Sequence, residues 1–182
     1  MGFKVNALSK IIKTFCEDKV SLNMFKETLS NFCCSKNLDE EEFLKNKAID
    51  YEIQNKARTY LLIDDNDFIA GYFSLAFKSI DLQEVSKTKK MDLTAGESYT
   101  TTYSAYLIGH IAKDDRIKQS MGDFILDAAQ SMLFRAQQLV GGRLVYLDCK
   151  DEVNLKKLYE RNGFKYFNTS QQSGLLQYYK KL

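Results

Sequence analysis

Tyr106-Leu107-Ile108-Gly109-His110-Ile111-Ala112, then Lys113-Asp114-Asp115-Arg116-Ile117-Lys118-Gln119, then Ser120-Met121-Gly122, is the stretch from which the fold is read. The apolar run from Tyr106 to Ala112 predicts a buried strand. The charged run after it predicts a loop, and a helix is expected to open at Ser120. Strand, short polar loop and a helix with glycine in its first turn make a backbone anion site. The first amides of such a helix have no intrahelical acceptor, and the helix dipole adds partial positive charge there. A diphosphate would suit them. Many α/β proteins carry such a unit for structural reasons alone, so its neighbours in the chain decide its meaning.

Downstream, the helix is expected to run from Ser120 to about Gln138, with Met121, Phe124, Ile125, Ala128, Met132 and Ala136 as its core face. Gly141-Gly142 ends it. Arg143 to Cys149 reads as the next strand, parallel to the last by right-handed crossover. Asp151 is a candidate N-cap for a short helix through Arg161, stopped by Asn162-Gly163. Phe164–Phe167 and Leu175–Tyr179 are expected to close the chain as a strand pair.

Upstream, Thr59–Ile63 and Phe68–Phe77 predict a hairpin around the turn Asp64-Asp65-Asn66-Asp67. That turn lacks the twelve-residue ligand spacing of an EF-hand, so it reads as a solvated turn. Residues 79–102 are a long polar excursion, a length expected to be partly helical, mobile or functional. Asp39 precedes a helix from Glu40 to about Asn55, acidic in its first turn, with Leu44, Ala48 and Tyr51 as its buried stripe. Residues 1–37 are expected to form two short helices. One carries Leu8, Ile11, Ile12 and Phe15; the other, which Ser21 could cap, carries Leu22, Phe25, Leu29 and Phe32.

The 182 residues are read as one domain with a full core. A composition of 45% apolar and 27% charged residues is that of an ordinary soluble protein, and a net charge of +2 requires any basic surface to be local. Met1-Gly2-Phe3-Lys4 leads into mixed sequence rather than a signal-peptide core, and no window resembles a membrane span; a cytoplasmic protein is expected. Cys16, Cys33, Cys34 and Cys149 lack zinc-ligand spacing and His110 is the single histidine, so free thiols and no metal are expected.

The segment Leu147-Asp148-Cys149 through Leu158-Tyr159-Glu160-Arg161-Asn162-Gly163-Phe164 resembles the LYEK-GF signature of GNAT acetyltransferases, and the opening stretch resembles their pyrophosphate loop. A narrower resemblance runs through Phe32-Cys33-Cys34, Leu38-Asp39, Phe43-Leu44, Ala48, Arg58-Thr59-Tyr60 and Gly71-Tyr72-Phe73-Ser74-Leu75. There the chain is similar to the GNAT toxins of type II toxin–antitoxin pairs, over about residues 32 to 180. The resemblance implies an α/β (α+β) GNAT fold. In it, a mixed central sheet of about six strands is flanked by helices, with residues 1–37 as a helical N-terminal extension. It implies an N-acetyltransferase with acetyl-CoA as donor and a primary amine as acceptor, of which aminoacyl-tRNA is the toxin-like case. An antitoxin and a second copy of the chain are the protein partners it leaves open. Other readings are acetylation of a small amine or a protein N-terminus, and a GNAT-fold binding module without turnover.

The family loop reads Arg or Gln, two residues, Gly, one residue, Gly or Ala; here Ile117-Lys118-Gln119-Ser120-Met121-Gly122 keeps only the last glycine. The basic residue is displaced to Arg116 or Lys118, and Ser120 replaces the central glycine. The resemblance assigns the pyrophosphate to the amides of Gln119, Ser120, Met121, Gly122 and Asp123, with Lys118 adding charge. It assigns pantetheine to Ile111 and Lys113 on a strand splayed from the next, with Asn154 in reach. Tyr159 holds the place of the family's general acid, a role a phenol protonated at neutral pH can fill; otherwise it is a packing tyrosine. His110 is read as a hydrogen-bonded core histidine rather than a base. Lys87, Lys89, Lys90, Lys150, Lys156, Lys157, Arg161, Lys180 and Lys181 could line an acceptor-stem surface, or simply solubilise it.

Overall fold

The computed structural model describes residues 2–15 and 19–182. The elements are β1 (Phe3–Ala7), α1 (Leu8–Phe15), α2 (Lys19–Ser30), α3 (Leu38–Glu42), a π-helical turn (Phe43–Lys47), α4 (Ala48–Ile53), β2 (Arg58–Asp64), β3 (Ile69–Asp81), α5 (Lys87–Thr94), β4 (Thr102–Lys113), α6 (Gly122–Val140), β5 (Leu144–Cys149), α7 (Val153–Arg161), β6 (Lys165–Thr169) and β7 (Leu176–Lys181). Seven strands run in the order β1-β2-β3-β4-β5-β7-β6. The chain divides into two compact units, residues 1–76 with 110–129, and residues 77–109 with 130–182.

In the first unit β1 pairs antiparallel with β2, Phe3 opposite Asp64 through Ala7 opposite Tyr60. This strand corrects the expected N-terminus: residues 1–37 hold a strand before the two helices, and it brings the expected sheet of about six strands to seven. Five residues with Lys4 and Asn6 between apolar neighbours are too short an alternation to stand out from the helical pattern that follows. Nor is this segment an appendage, because Leu8, Ile12 and Leu29 are buried with Leu44, Leu61 and Tyr72 in one core cluster. Ser21 lies inside α2 rather than ahead of its first turn. The expected helix at Glu40 is present but broken by the π turn, where the Ala48 amide reaches back to the Phe43 carbonyl. Its end is tied by Glu52, 4% exposed, which accepts from the Thr59 amide at 2.8 Å and the Arg58 guanidinium at 2.7 Å. The β2–β3 hairpin turn closes on Asp64, whose Oδ1 accepts from the Asn66 and Phe68 amides.

In the second unit the excursion between β3 and β4 holds α5. Ser86 caps it by accepting from the Lys89 amide, and Ala95 ends it in left-handed conformation. Leu82, Val85 and Leu93 from this excursion are buried with Leu144, Tyr146 and Tyr179. β4 and β5 are parallel, Tyr106 opposite Val145 and Leu107 opposite Tyr146; β5 pairs antiparallel with β7, and β7 with β6. Gly141 and Gly142, both at positive φ, separate α6 from β5. A Cβ on Gly142 would come within 2.5 Å of the Tyr106 ring, whose hydroxyl donates to the Gly141 carbonyl. Asp151 is not the cap of α7. Glu152 occupies that position without a side-chain bond, and Asp151 pairs with Lys156 at 2.6 Å.

α6 starts at Gly122, two residues later than Ser120, because Met121 is the cap whose carbonyl takes the first helical bond, from Ile125 at 2.9 Å. Its buried face is Ile125, Leu126, Ala129 and Leu133, whereas Phe124 is 44% exposed. The expected stripe was turned by about one residue, toward Phe124, Ala128 and Met132.

Candidate functional site

In the first unit the end of β4 is locked before α6 begins. Asp114 has no solvent exposure. It accepts from the Cys33 amide at 2.9 Å, from the Arg116 amide at 2.9 Å, and from the Arg116 guanidinium through two 2.8 Å contacts. Burial alone would raise its carboxyl; these donors outweigh burial and hold it below the usual carboxylate range. Asp115 accepts from the Ser35 amide at 2.8 Å, and its own amide donates to the Cys33 carbonyl. The connection after α2 is thus clamped to the connection after β4.

That clamp decides between the two basic candidates. Arg116 is spent internally: besides Asp114 it donates to the Asn31 carbonyl at 2.7 Å and lies 4.2 Å from the Phe68 ring centre. Lys113 donates its ammonium to the Ile117 carbonyl. Lys118 is exposed, with a 3.4 Å contact to the Asp115 carbonyl. Gln119, Ser120 and Asp123 are exposed, Gly122 is half-buried, and Met121 is buried. The buried Met121 side chain anchors the start of a 19-residue helix while its neighbours stay at the surface. Ile111 and Lys113 are half-buried on β4.

In the same unit, the His110 ring stacks on Phe43 at 3.6 Å and 13°. Its Nδ1 donates to Glu40 Oε2 at 2.9 Å. Glu40 also accepts from the Tyr72 hydroxyl at 3.0 Å. Burial first, then Glu40, push the Tyr72 phenol far up, so it remains a donor. The expected hydrogen bond of His110 is present, but its side chain is 31% exposed rather than sealed in core. Glu40 and Phe43 escaped sequence reasoning. Glu40 was read as a helix-dipole acid, and only its three-residue spacing from Phe43 hinted that both share a face.

In the second unit Tyr159 is 7% exposed on α7, its ring against Phe164 and Tyr178. Burial, and after it the Glu160 carboxylate, push the Tyr178 phenol up to about 12. Asn154 is exposed in the first turn of α7. Cys149 is buried and its thiol is pushed up to about 11 by burial and then Asp148, which keeps it un-ionised. Cys33, Cys34 and Cys149 are free thiols, and Cys16 lies outside the described residues. Of the expected basic surface, Lys156 pairs with Asp151, Lys181 with Asp92, and Lys89 donates to the Tyr166 carbonyl at 3.3 Å. Lys180 and Lys181 line two neighbouring grooves, one with Arg135 and Phe134, the other with Lys165 and Tyr179. Arg135 and Lys165 were not in the expected set.

No family model and no curated protein matches the chain. Solved structures do. A tyrosine-to-phenylalanine mutant of KacT matches with a TM-score of 0.70 at 17% identity, over 98% of this chain and 95% of that one. The chain has the fold of KacT. AtaT complexed with acetyl-methionyl-tRNAfMet matches with a TM-score of 0.63 at 18% identity, over 81% of this chain and 85% of that one. A tyrosine-to-phenylalanine mutant of the AtaT toxin, bound to the C-terminus of the antitoxin AtaR and acetyl-CoA, matches with a TM-score of 0.62 at 13% identity, over 84% of each chain. The 98% coverage extends the likeness into the N-terminal stretch that the sequence resemblance left out.

Proposed function

We propose that the chain is an acetyl-CoA-dependent N-acetyltransferase whose acceptor is the amino group of aminoacyl-tRNA. The observation that carries this reading is a fold shared with AtaT, which is solved with acetyl-CoA and with acetyl-methionyl-tRNA. The start of α6 supports the cofactor half of it. The first amides of a long helix follow a locked strand end, with Gln119, Ser120 and Asp123 exposed around a buried Met121. The diphosphate of acetyl-CoA would rest on the amides of Gln119 to Asp123, with Lys118 as the cation. Pantetheine amides would pair with β4 at Ile111 and Lys113, and Asn154 would hydrogen-bond the arm.

The acceptor nitrogen attacks the thioester carbonyl, a C–N bond forms, and the C–S bond breaks. Tyr159 would give its proton to the departing sulfur. That AtaT and KacT were both solved as tyrosine-to-phenylalanine mutants supports giving a tyrosine this task. AtaT's complex with the antitoxin AtaR supports an antitoxin as protein partner. The grooves at Lys165, Lys180, Lys181 and Arg135 suit an RNA backbone.

The test is to incubate the chain with labelled acetyl-CoA, total charged tRNA and a panel of polyamines and peptides. Label on charged tRNA, lost at least a hundredfold in Tyr159→Phe with acetyl-CoA affinity kept, is the expected result. Label on amines or peptides alone would replace the acceptor.

A further inference from the structure

We infer that His110 is the base that takes the proton from the acceptor amine, with Glu40 as the residue that positions it. The inference rests on the acetyl-transfer reading and adds a group to it. A carboxylate cannot donate, so the proton between Glu40 Oε2 and His110 Nδ1 belongs to the imidazole. In the neutral ring the lone pair is therefore on Nε2. Among the described residues Nε2 has no hydrogen-bond partner, and the side chain is 31% exposed. Phe43, stacked flat at 3.6 Å, fixes the plane of the ring. The Tyr72 hydroxyl lies 2.6 Å from the Glu40 carbonyl and 3.0 Å from the same carboxylate, and its one proton, shared between them, holds Glu40 in turn. A histidine oriented through Nδ1 by a held carboxylate, with Nε2 open, is the arrangement that suits proton transfer.

The ionisable groups facing this ring are Glu40 from α3 and Tyr72 from β3, with Cys34 beside Tyr72. The position along β4 fits as well. His110 lies on the same strand as Ile111 and Lys113, next to the residue proposed to pair with pantetheine. The step balances: the amine forms the C–N bond and loses its proton to Nε2, the C–S bond breaks, and the departing thiolate takes a proton from the general acid, which regains one from solvent. The proton on Nε2 then passes to solvent.

The experiment measures transfer from labelled acetyl-CoA, in wild type, His110→Ala, His110→Gln and Glu40→Gln, to whichever of charged tRNA, polyamines or peptides takes label. Circular dichroism and calorimetry with acetyl-CoA run beside it. The expected result is a fall of about a hundredfold in both His110 variants and about tenfold in Glu40→Gln, with acetyl-CoA affinity kept. Added imidazole should restore at least tenfold of the loss in His110→Ala, which a packing role could not do. Equal turnover of His110→Gln and wild type, or a loss that imidazole does not relieve, overturns the inference and leaves the acetyltransferase reading standing. A wild type that transfers label to nothing overturns both.

Discussion

At the scale of single residues, Gly71 shows how tightly the end of β4 is held. Its φ is ordinary, so the requirement is space. A Cβ there would lie 2.8 Å from the Ala112 carbonyl oxygen and 3.3 Å from Ile125 Cδ1. The first neighbour is backbone and cannot swing away. Gly71→Ala should cost about 1–3 kcal/mol in urea unfolding, because β3 or β4 must shift. Asp114 has the opposite character, a charge kept by its donors. Its folded carboxyl titrates below the unfolded value near 4. It therefore contributes stability in full above that value, and the contribution is lost as pH falls through the folded one. Asp114→Asn should lose about 2 kcal/mol or more at pH 7 and flatten the acid limb of a stability-versus-pH curve. The thiols separate by burial. In the native protein Cys33, which is exposed, should react with iodoacetamide well before Cys34 or Cys149, as mass spectrometry of a time course would report.

At the scale of elements, α6 and β1 mark where sequence reading succeeded and where it stopped. The existence and direction of α6 followed from 3.6-residue periodicity, but its face did not. Phe124 and Met132 are large and apolar, and nothing local says that Leu126 and Leu133 go inward instead. Leu133→Ala should cost about 2–5 kcal/mol, while Phe134→Ala, at a site 55% exposed, should stay within about 0.5 kcal/mol. β1 was illegible for a different reason. Its pairing with β2 is set by a partner strand more than fifty residues away, and Phe3-Lys4-Val5-Asn6-Ala7 carries little strand signal of its own. Deleting residues 1–7 should expose the edge of β2 and lower the unfolding midpoint, which a free helical extension would not do. Among candidate site residues, the strand-loop-helix unit and Tyr159 were visible as motifs. The capture of Arg116 by Asp114 and the contact of Glu40 with His110 were not, since both depend on tertiary packing.

At the scale of the whole molecule, a net charge of +2 leaves any nucleic-acid contact to local patches. Arg135 and Lys165, in the grooves that share Lys180 and Lys181, are the cations that neither α5 nor α7 supplies. Replacing both by alanine should weaken binding of charged tRNA similarly for different tRNAs and lower the slope of log affinity against log salt by about one to two. None of the described helices is long and apolar enough to cross a membrane. The central claim is that backbone amides at the head of α6 receive the diphosphate of a thioester carrier. Amide chemical shifts of the isotope-labelled protein, followed during titration with coenzyme A, test it directly. The account predicts the largest shifts at Gln119, Ser120, Met121, Gly122 and Asp123, with a second group at Ile111 and Lys113. No shift at millimolar coenzyme A, or shifts confined to other parts of the chain, would contradict it.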